Sequence, residues 1–259
     1  MKNSSIIVSC LLSIAFGFSG CKKDVPGATG AQGPVGPAGP AYMATLSGFV
    51  TVYDQYGTKL FTNLNKVQVS IDGTSRSASS DTSGKYSFAS LTTGNYNITA
   101  SDSGCGIVKA QDIQLVSGNV NRDIKLSQIP SFSIATCIAI DTVQNAVNYI
   151  KIRGTIASDV KSRMLIFFVG SNSSVSASTS TWDLFYTRAI AINATTFSLM
   201  IPASDLYAAQ ISSGSTVYIA AYPASVNYNT SSSYEDLTNG KTVFNAVGPS
   251  PINLNVLVP

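Results

Sequence analysis

The sequence predicts an all-β chain: two antiparallel β-sandwich domains in tandem, behind a leader segment and a Gly/Pro-rich linker. Three observations predict it. Apolar–polar alternation of strand period recurs from Leu46 to the C-terminus, and amphipathic stretches of helical period are absent. Turn-forming pairs such as Asp72-Gly73, Thr93-Gly94 and Ser117-Gly118 punctuate that alternation. Ser, Thr and Asn are abundant while charged residues make up only 11%, a composition that suits a β protein outside the cytoplasm.

The chain begins with the layout of an export leader. Over residues 1–20, Lys2 supplies a positive start, Ile6 to Phe18 forms an apolar run of thirteen residues, and the small Ser19 and Gly20 follow. A helix crossing a ~30 Å hydrocarbon core takes about 20 residues, so this run is a removable leader and not a membrane span. Phe18-Ser19-Gly20-Cys21 resembles the lipobox of bacterial lipoproteins. The resemblance implies a diacylglyceryl group on the Cys21 sulfur, cleavage before Cys21, and a mature protein anchored in the cell envelope, at the outer membrane of a Gram-negative bacterium. One acyl chain holds a protein at a membrane only marginally, whereas two or three hold it stably.

Residues 21–41 form the linker. Gly27, Gly30, Gly33, Gly36 and Gly39 open five consecutive triplets that resemble a collagen Gly-X-Y tract. Pro34, Pro37 and Pro40 all stand at X and none at Y, where hydroxyproline would stabilise a triple helix. Such a tract reads either as a short trimerising stalk or as a single-chain polyproline-like spacer, and the proline placement favours the spacer. At ~3.1 Å per residue, residues 26–41 would hold the body about 50 Å from the lipid.

Charge and composition exclude several function classes. The 16 Lys and Arg against 13 Asp and Glu give +3, and loss of Lys2 with the leader leaves +2, without the clustered basic footprint of a nucleic-acid binder. The chain has no histidine and one glutamate, Glu235. Histidine general bases and histidine-ligated zinc are therefore impossible, and after processing only Cys105 and Cys137 remain as thiols. No catalytic residues, metal or cofactor are expected, and the protein reads as a non-enzyme.

The first folded domain spans residues 42–127. Leu46, Gly48, Val50 and Val52 alternate, and Val67–Ile71, Tyr86–Phe88, Tyr96–Ile98, Ile113–Leu115 and Ile124–Leu126 follow, the clearest members of a seven-strand sandwich. Gly48-Phe49-Val50, then Val67–Thr74, then Asp81-Thr82-Ser83-Gly84-Lys85-Tyr86-Ser87-Phe88, then Leu91-Thr92-Thr93-Gly94-Asn95-Tyr96-Asn97-Ile98 resemble the carboxypeptidase regulatory-like domain. That family is a transthyretin-like sandwich, and the resemblance implies a structural module, with Gly84 and Gly94 in tight turns and Tyr86, Phe88, Tyr96 and Ile98 in the core. Asp54-Gln55-Tyr56-Gly57 lacks the alternating acids of a calcium loop.

The second domain spans residues 130–259. Strands are expected at 132–140, 147–157, 164–169, 182–192, 197–201, 216–222, 241–247 and 252–258. Ile211-Ser212-Ser213-Gly214-Ser215-Thr216-Val217-Tyr218 resembles the turn and tyrosine that enter a late strand of fibronectin type III and immunoglobulin-like sandwiches. The resemblance implies an Ig-like sandwich in which the tyrosine hydroxyl bonds back to nearby backbone.

Candidate site residues follow from these placements. Cys105, in a turn at the end of the first domain, and Cys137, eleven residues past Leu126, form an interdomain disulfide if the new strand folds back, and separate apolar fillers if it runs on. Asp141-Thr142-Val143, expected in a loop, resembles the Asp-(Ser/Thr)-aliphatic motif that some Gram-negative bacteria O-glycosylate, with Thr142 as acceptor; an ordinary turn is the alternative. Trp182, Tyr186, Tyr228 and Tyr234 are candidates for an aromatic platform under a glycan, or else pack as core and strand-face residues. The polar loop Asn227–Tyr234 is long and adaptable, the kind of segment that carries binding on a rigid scaffold. The expected function is a non-catalytic, lipid-anchored envelope or surface protein acting as an interaction, adhesion or structural module. The alternative is a glycan-binding accessory lipoprotein of an outer-membrane uptake system. The expected partners are the membrane, through the lipid anchor, and a surface protein or glycan.

Overall fold

In the first half of the body the strands are β1 (Met43–Tyr53), β2 (Lys59–Leu60), β3 (Gln68–Ile71), β4 (Ser77–Ser79), β5 (Lys85–Thr92), β6 (Gly94–Ser101), β7 (Val108–Leu115), β8 (Gly118–Asn121) and β9 (Ile124–Ser127). The computed structural model describes residues 42–177 and 181–259. The leader, Cys21 and the Gly-X-Y linker lie outside the described residues.

β1 organises one sheet. Its alternation buries Ala44, Leu46, Val50 and Val52 and turns the residues between them outward. Along one edge it pairs antiparallel with β5 and β2; along the other it pairs parallel with β8 and then β9. The opposing sheet runs β4-β3-β6-β7. Ile71, Ile98, Leu115 and Leu126 are buried between the two sheets. The sandwich is thus not antiparallel throughout, as the sequence suggests. The chain leaves β7 in one sheet and crosses to lie beside β1 in the same direction, and parallel neighbours need such a crossover.

β8 and β9 are one strand interrupted at Arg122-Asp123. There the Arg122 amide donates to the Ser47 carbonyl at 2.7 Å and the Asp123 carboxylate accepts from the Phe49 amide at 2.9 Å. The Arg122 carbonyl turns inward, where the buried Tyr86 hydroxyl donates to it. Gly48 passes so close that a Cβ there would lie 2.1 Å from that oxygen. The Gly48 and Tyr86 of the sequence motif therefore serve one contact.

The second half contains β10 (Ile134–Gln144), β11 (Val147–Ile156), β12 (Arg163–Gly170), β13 (Leu184–Ile190), β14 (Thr196–Pro202), α1 (Ala203–Ala208), β15 (Thr216–Ala224), β16 (Ser233–Asp236), β17 (Lys241–Phe244) and β18 (Ile252–Leu257). All eight expected strands are present; β16 and the short α1 were not anticipated. One sheet runs β10-β11-β14 and faces another of order β13-β12-β15-β18. Ile150, Ile152, Phe167, Val169, Val217 and Ile219 fill the space between them.

A third layer lies behind the second sheet. Ile166, Phe168, Ala220 and Tyr222 point away from the first core and are buried beneath Val175, Ala177 and Phe244. β12 is therefore buried on both faces, which explains its unbroken apolar run. Tyr218 belongs to this outer face, and its hydroxyl makes no hydrogen bond among the described residues. The backbone-bonded tyrosine implied by the immunoglobulin-like resemblance is not formed, because register sends Tyr218 into the covered face.

Candidate functional site

Among the described residues no three of Cys, Asp and Glu gather into a metal-binding set. Cys105 and Cys137 are both free, and each is buried in a different core. The disulfide is absent because β10 runs on into the second sandwich and carries Cys137 to the Gly154 position of β11, while Cys105 bridges to Gln128. Burial pushes both thiols up to about 11, with the Asp102 carboxylate adding to the effect at Cys105, so neither is a nucleophile near neutral pH.

The four candidate aromatics do not form one platform. Trp182 is half-buried and packs edge-on against Phe185 at 5.4 Å between centroids, with Phe168 at 6.0 Å and Phe244 at 6.2 Å. The Lys241 ammonium lies 5.5 Å from its ring centroid and donates to its carbonyl. Tyr228 joins the same cluster through Phe244. Tyr186 faces the opposite side of the sheet, where its hydroxyl donates to Asp205 Oδ2 at 2.8 Å; burial, then this carboxylate, raises its pKa. Tyr234 stands apart on β16 with the Lys109 ammonium over its ring. Alternation along β13 puts Phe185 and Tyr186 on opposite faces; Trp182 precedes the strand and packs on the Phe185 side, away from Tyr186.

Thr142 is also displaced from its expected setting. The hairpin of β10 and β11 continues to a two-residue turn at Asn145-Ala146, both with positive φ, so Thr142 is a strand residue opposite Tyr149 and not part of a loop.

The Asn227–Tyr234 loop proves to be a seam. Ala41–Pro259 forms one compact unit, and this segment joins its two sandwiches. Ser231 and Ser232 are 2% and 0% exposed. The Ser232 hydroxyl accepts from the Ser127 amide at 2.8 Å and donates to the Gly106 carbonyl, while Ser231 bonds the Ser127 hydroxyl. A polar network joins the sandwiches elsewhere: Tyr56 donates to Asp159 at 2.8 Å, and Lys161 lies 3.7 Å from Asp54 and 4.5 Å from the Tyr56 ring centroid. The Ser231 and Ser232 hydroxyls are buried, and a buried hydroxyl is stable only when it is partnered. Arg163, 1% exposed, closes the network's inner side by donating to the carbonyls of Ala157 and Ala194.

Concave surfaces among the described residues include the following two. A cleft of about 330 Å³ at the end of the first sandwich is lined by Val52, Leu60, Thr62, Asn63, Lys66, Asp102, Ser103, Cys105 and Gln128. A shallower groove of about 430 Å³ crosses the outer face of the three-stranded sheet, between Ile138, Lys151, Arg153 and a row of threonines. Sequence reasoning missed both. Their residues are spread over several loops and strands, so no local spacing signals them.

Comparison with known proteins bears on the first sandwich. Residues 45–127 match the carboxypeptidase regulatory-like domain. Within that domain, Gly48 and Tyr86 make the Arg122 contact described above. A search of curated proteins returned no match. Among solved structures, the chain is similar to a candidate carbohydrate-binding protein of Bacteroides uniformis, at 15% identity over 84% of this chain and 100% of that one, with a TM-score of 0.31. It is also similar to a DUF3823 family protein of Parabacteroides merdae, at 14% identity over 71% and 92% of the two chains, with a TM-score of 0.26. A cohesin–X–dockerin complex of Acetivibrio cellulolyticus shares 16% identity over 33% of this chain and 58% of that one, with a TM-score of 0.27.

Proposed function

We propose that the protein is a non-catalytic, lipid-anchored display module of the bacterial envelope, acting in interaction, adhesion or structural support. On this reading Cys21 holds the acyl chains, the Gly/Pro-rich segment is the spacer, and the body is the displayed part. The seam is the observation that supports it. Buried hydroxyls at Ser231 and Ser232 and the Tyr56–Asp159 and Lys161–Asp54 contacts hold the two sandwiches as a unit, an arrangement suited to presenting outer surfaces to a partner. Metabolic labelling with a tagged fatty acid tests the anchor: label on the native chain and none on Cys21→Ser is the expected result. Label retained on Cys21→Ser would remove the lipobox from the reading.

The second reading, a glycan-binding accessory lipoprotein of an outer-membrane uptake system, draws no support from the aromatic residues, since Trp182 is packed among phenylalanines. What favours its glycan-binding part is the cleft at the end of the first sandwich, where uncommitted polar side chains surround an aliphatic floor.

A further inference from the structure

We infer that the cleft between β2, the turn Leu64–Lys66 and the β6–β7 loop is a binding site for a neutral saccharide; the inference rests on the glycan-binding reading and assigns it a place and a ligand class.

The argument is one of hydrogen-bond complementarity. A sugar hydroxyl donates and accepts at once, so a site for it needs both kinds of group within one small volume. Lys66 offers donors only and the Asp102 carboxylate acceptors only, while the amides of Asn63 and Gln128 and the hydroxyls of Thr62 and Ser103 offer both. The side chains of Thr62, Asn63, Lys66 and Gln128 make no hydrogen bond or ion pair with the rest of the protein among the described residues. Asp102 spends one oxygen on the Ser103 amide at 2.7 Å and keeps the other. Val52 and Leu60 give the floor an apolar patch for a pyranose C–H face.

Charge narrows the class. An anionic ligand would meet Asp102 and a cationic one would meet Lys66, whereas a neutral polyol meets both favourably. The volume of about 330 Å³ sits at the small end of ligand sites and suits one or two sugar rings. The groove on the outer sheet differs in kind: Lys151 and Arg153 line it without any acid, so it would select anions.

Two conservative variants probe the cleft without disturbing the fold. Asn63 has φ 60°, so Asn63→Gly removes the amide while keeping a backbone glycine accepts readily. Lys66 is exposed, so Lys66→Ala removes the ammonium alone. The intact protein is applied to an array of neutral hexose oligosaccharides beside uronate-bearing and sulfated ones, and the captured sugar is titrated calorimetrically. The expected result is capture of a neutral oligosaccharide, with affinity lowered roughly tenfold or more in each variant and unchanged in Arg153→Ala. Amide exchange should slow over residues 60–66 and 102–105 when the sugar is bound. Neutral binding that ignores both variants overturns the assignment and leaves glycan binding intact. Capture of acidic glycans only, abolished by Arg153→Ala, transfers the site to the sheet groove and overturns it as well. Capture of no glycan overturns the cleft and the glycan-binding reading together, while the display reading stands or falls separately on the Cys21 label.

Discussion

The Ser232 hydroxyl donates to the Gly106 carbonyl at 2.7 Å, and the two residues are so closely opposed that a Cβ on Gly106 would lie 2.7 Å from that of Ser232 and 2.4 Å from the Asn245 carbonyl oxygen. One residue of each sandwich thus fixes the seam, by a hydrogen bond and by lack of space. Ser232→Ala strands the Ser127 amide and the Gly106 carbonyl, and a cost of about 1–3 kcal/mol is expected. Gly106→Ala should cost about as much through overpacking. Urea unfolding measures both. A Ser232→Ala midpoint equal to that of the native chain would show that this hydroxyl contributes nothing to the seam.

The same reasoning applies inside the first sandwich. Tyr86→Phe removes the bond to the Arg122 carbonyl, leaves the ring in place, and should destabilise by about 1 kcal/mol or somewhat more. Gly48→Ala places a methyl against that carbonyl and should cost more, because backbone must move. The order of the two denaturation midpoints is the check; a Gly48→Ala protein as stable as the native one would contradict the crowding at Arg122.

Acid should loosen the polar network between the sandwiches. The hydrogen bond from Tyr56, then that from the Lys161 amide, holds the Asp159 carboxyl below its usual range. A folded pKa below the unfolded one stabilises above the unfolded value of about 3.9 and loses that contribution as pH falls through the folded value. The stability difference between native protein and Asp159→Asn should therefore be present at pH 7 and fade as pH falls through the lowered folded value of Asp159. A difference that persists in acid would assign the effect to something other than ionised Asp159.

Thiol counting offers a simple contrast. Native protein should react slowly with an aromatic disulfide reagent at pH 7, and denatured, unreduced protein should show both Cys105 and Cys137 free. Both thiols are raised to about 11 by burial, so their contribution to stability is complete below the unfolded value of about 8.5 and is lost as pH rises towards 11. Denatured protein that shows neither thiol free would mean that the two cysteines are bridged.

Much of this fold is legible in the sequence because strands advertise themselves by alternation. Leu46, Val50 and Val52, or Ile150 and Ile152, show the period and the buried face together. β8, with Gly118-Asn119-Val120-Asn121, has too little apolar character to be seen, and only its pairing with β1 makes it a strand. α1 is six residues long, and only Ala203 and Leu206 of it are buried. The Met164–Val169 run announces a strand but not its second burial, since the cover includes Phe244, far along the chain. The Asn227–Tyr234 segment reads as a solvated loop because serine is polar. Small hydroxyls can nevertheless be buried when partners await them: Ser232 meets an amide and a carbonyl of the other sandwich, and Ser231 meets the Asn227 carbonyl of its own segment and the Ser127 hydroxyl. Lys66, Asp102 and Gln128 look like isolated surface residues, and convergence around one cleft is a property of tertiary structure alone.

The parallel pairing of β1 with β8 and β9 has a consequence for the order in which the chain matures. A ribosome delivers β1 long before its partners on that edge, and a nascent chain ending before Gly118 leaves the edge with its amides and carbonyls unpaired. The first of the described strands is thus among the last completed, and its long-range partners impose a late entropic cost on closing the sandwich. Until residues up to Ser127 are available, the first of the described strands keeps one edge open to wrong partners.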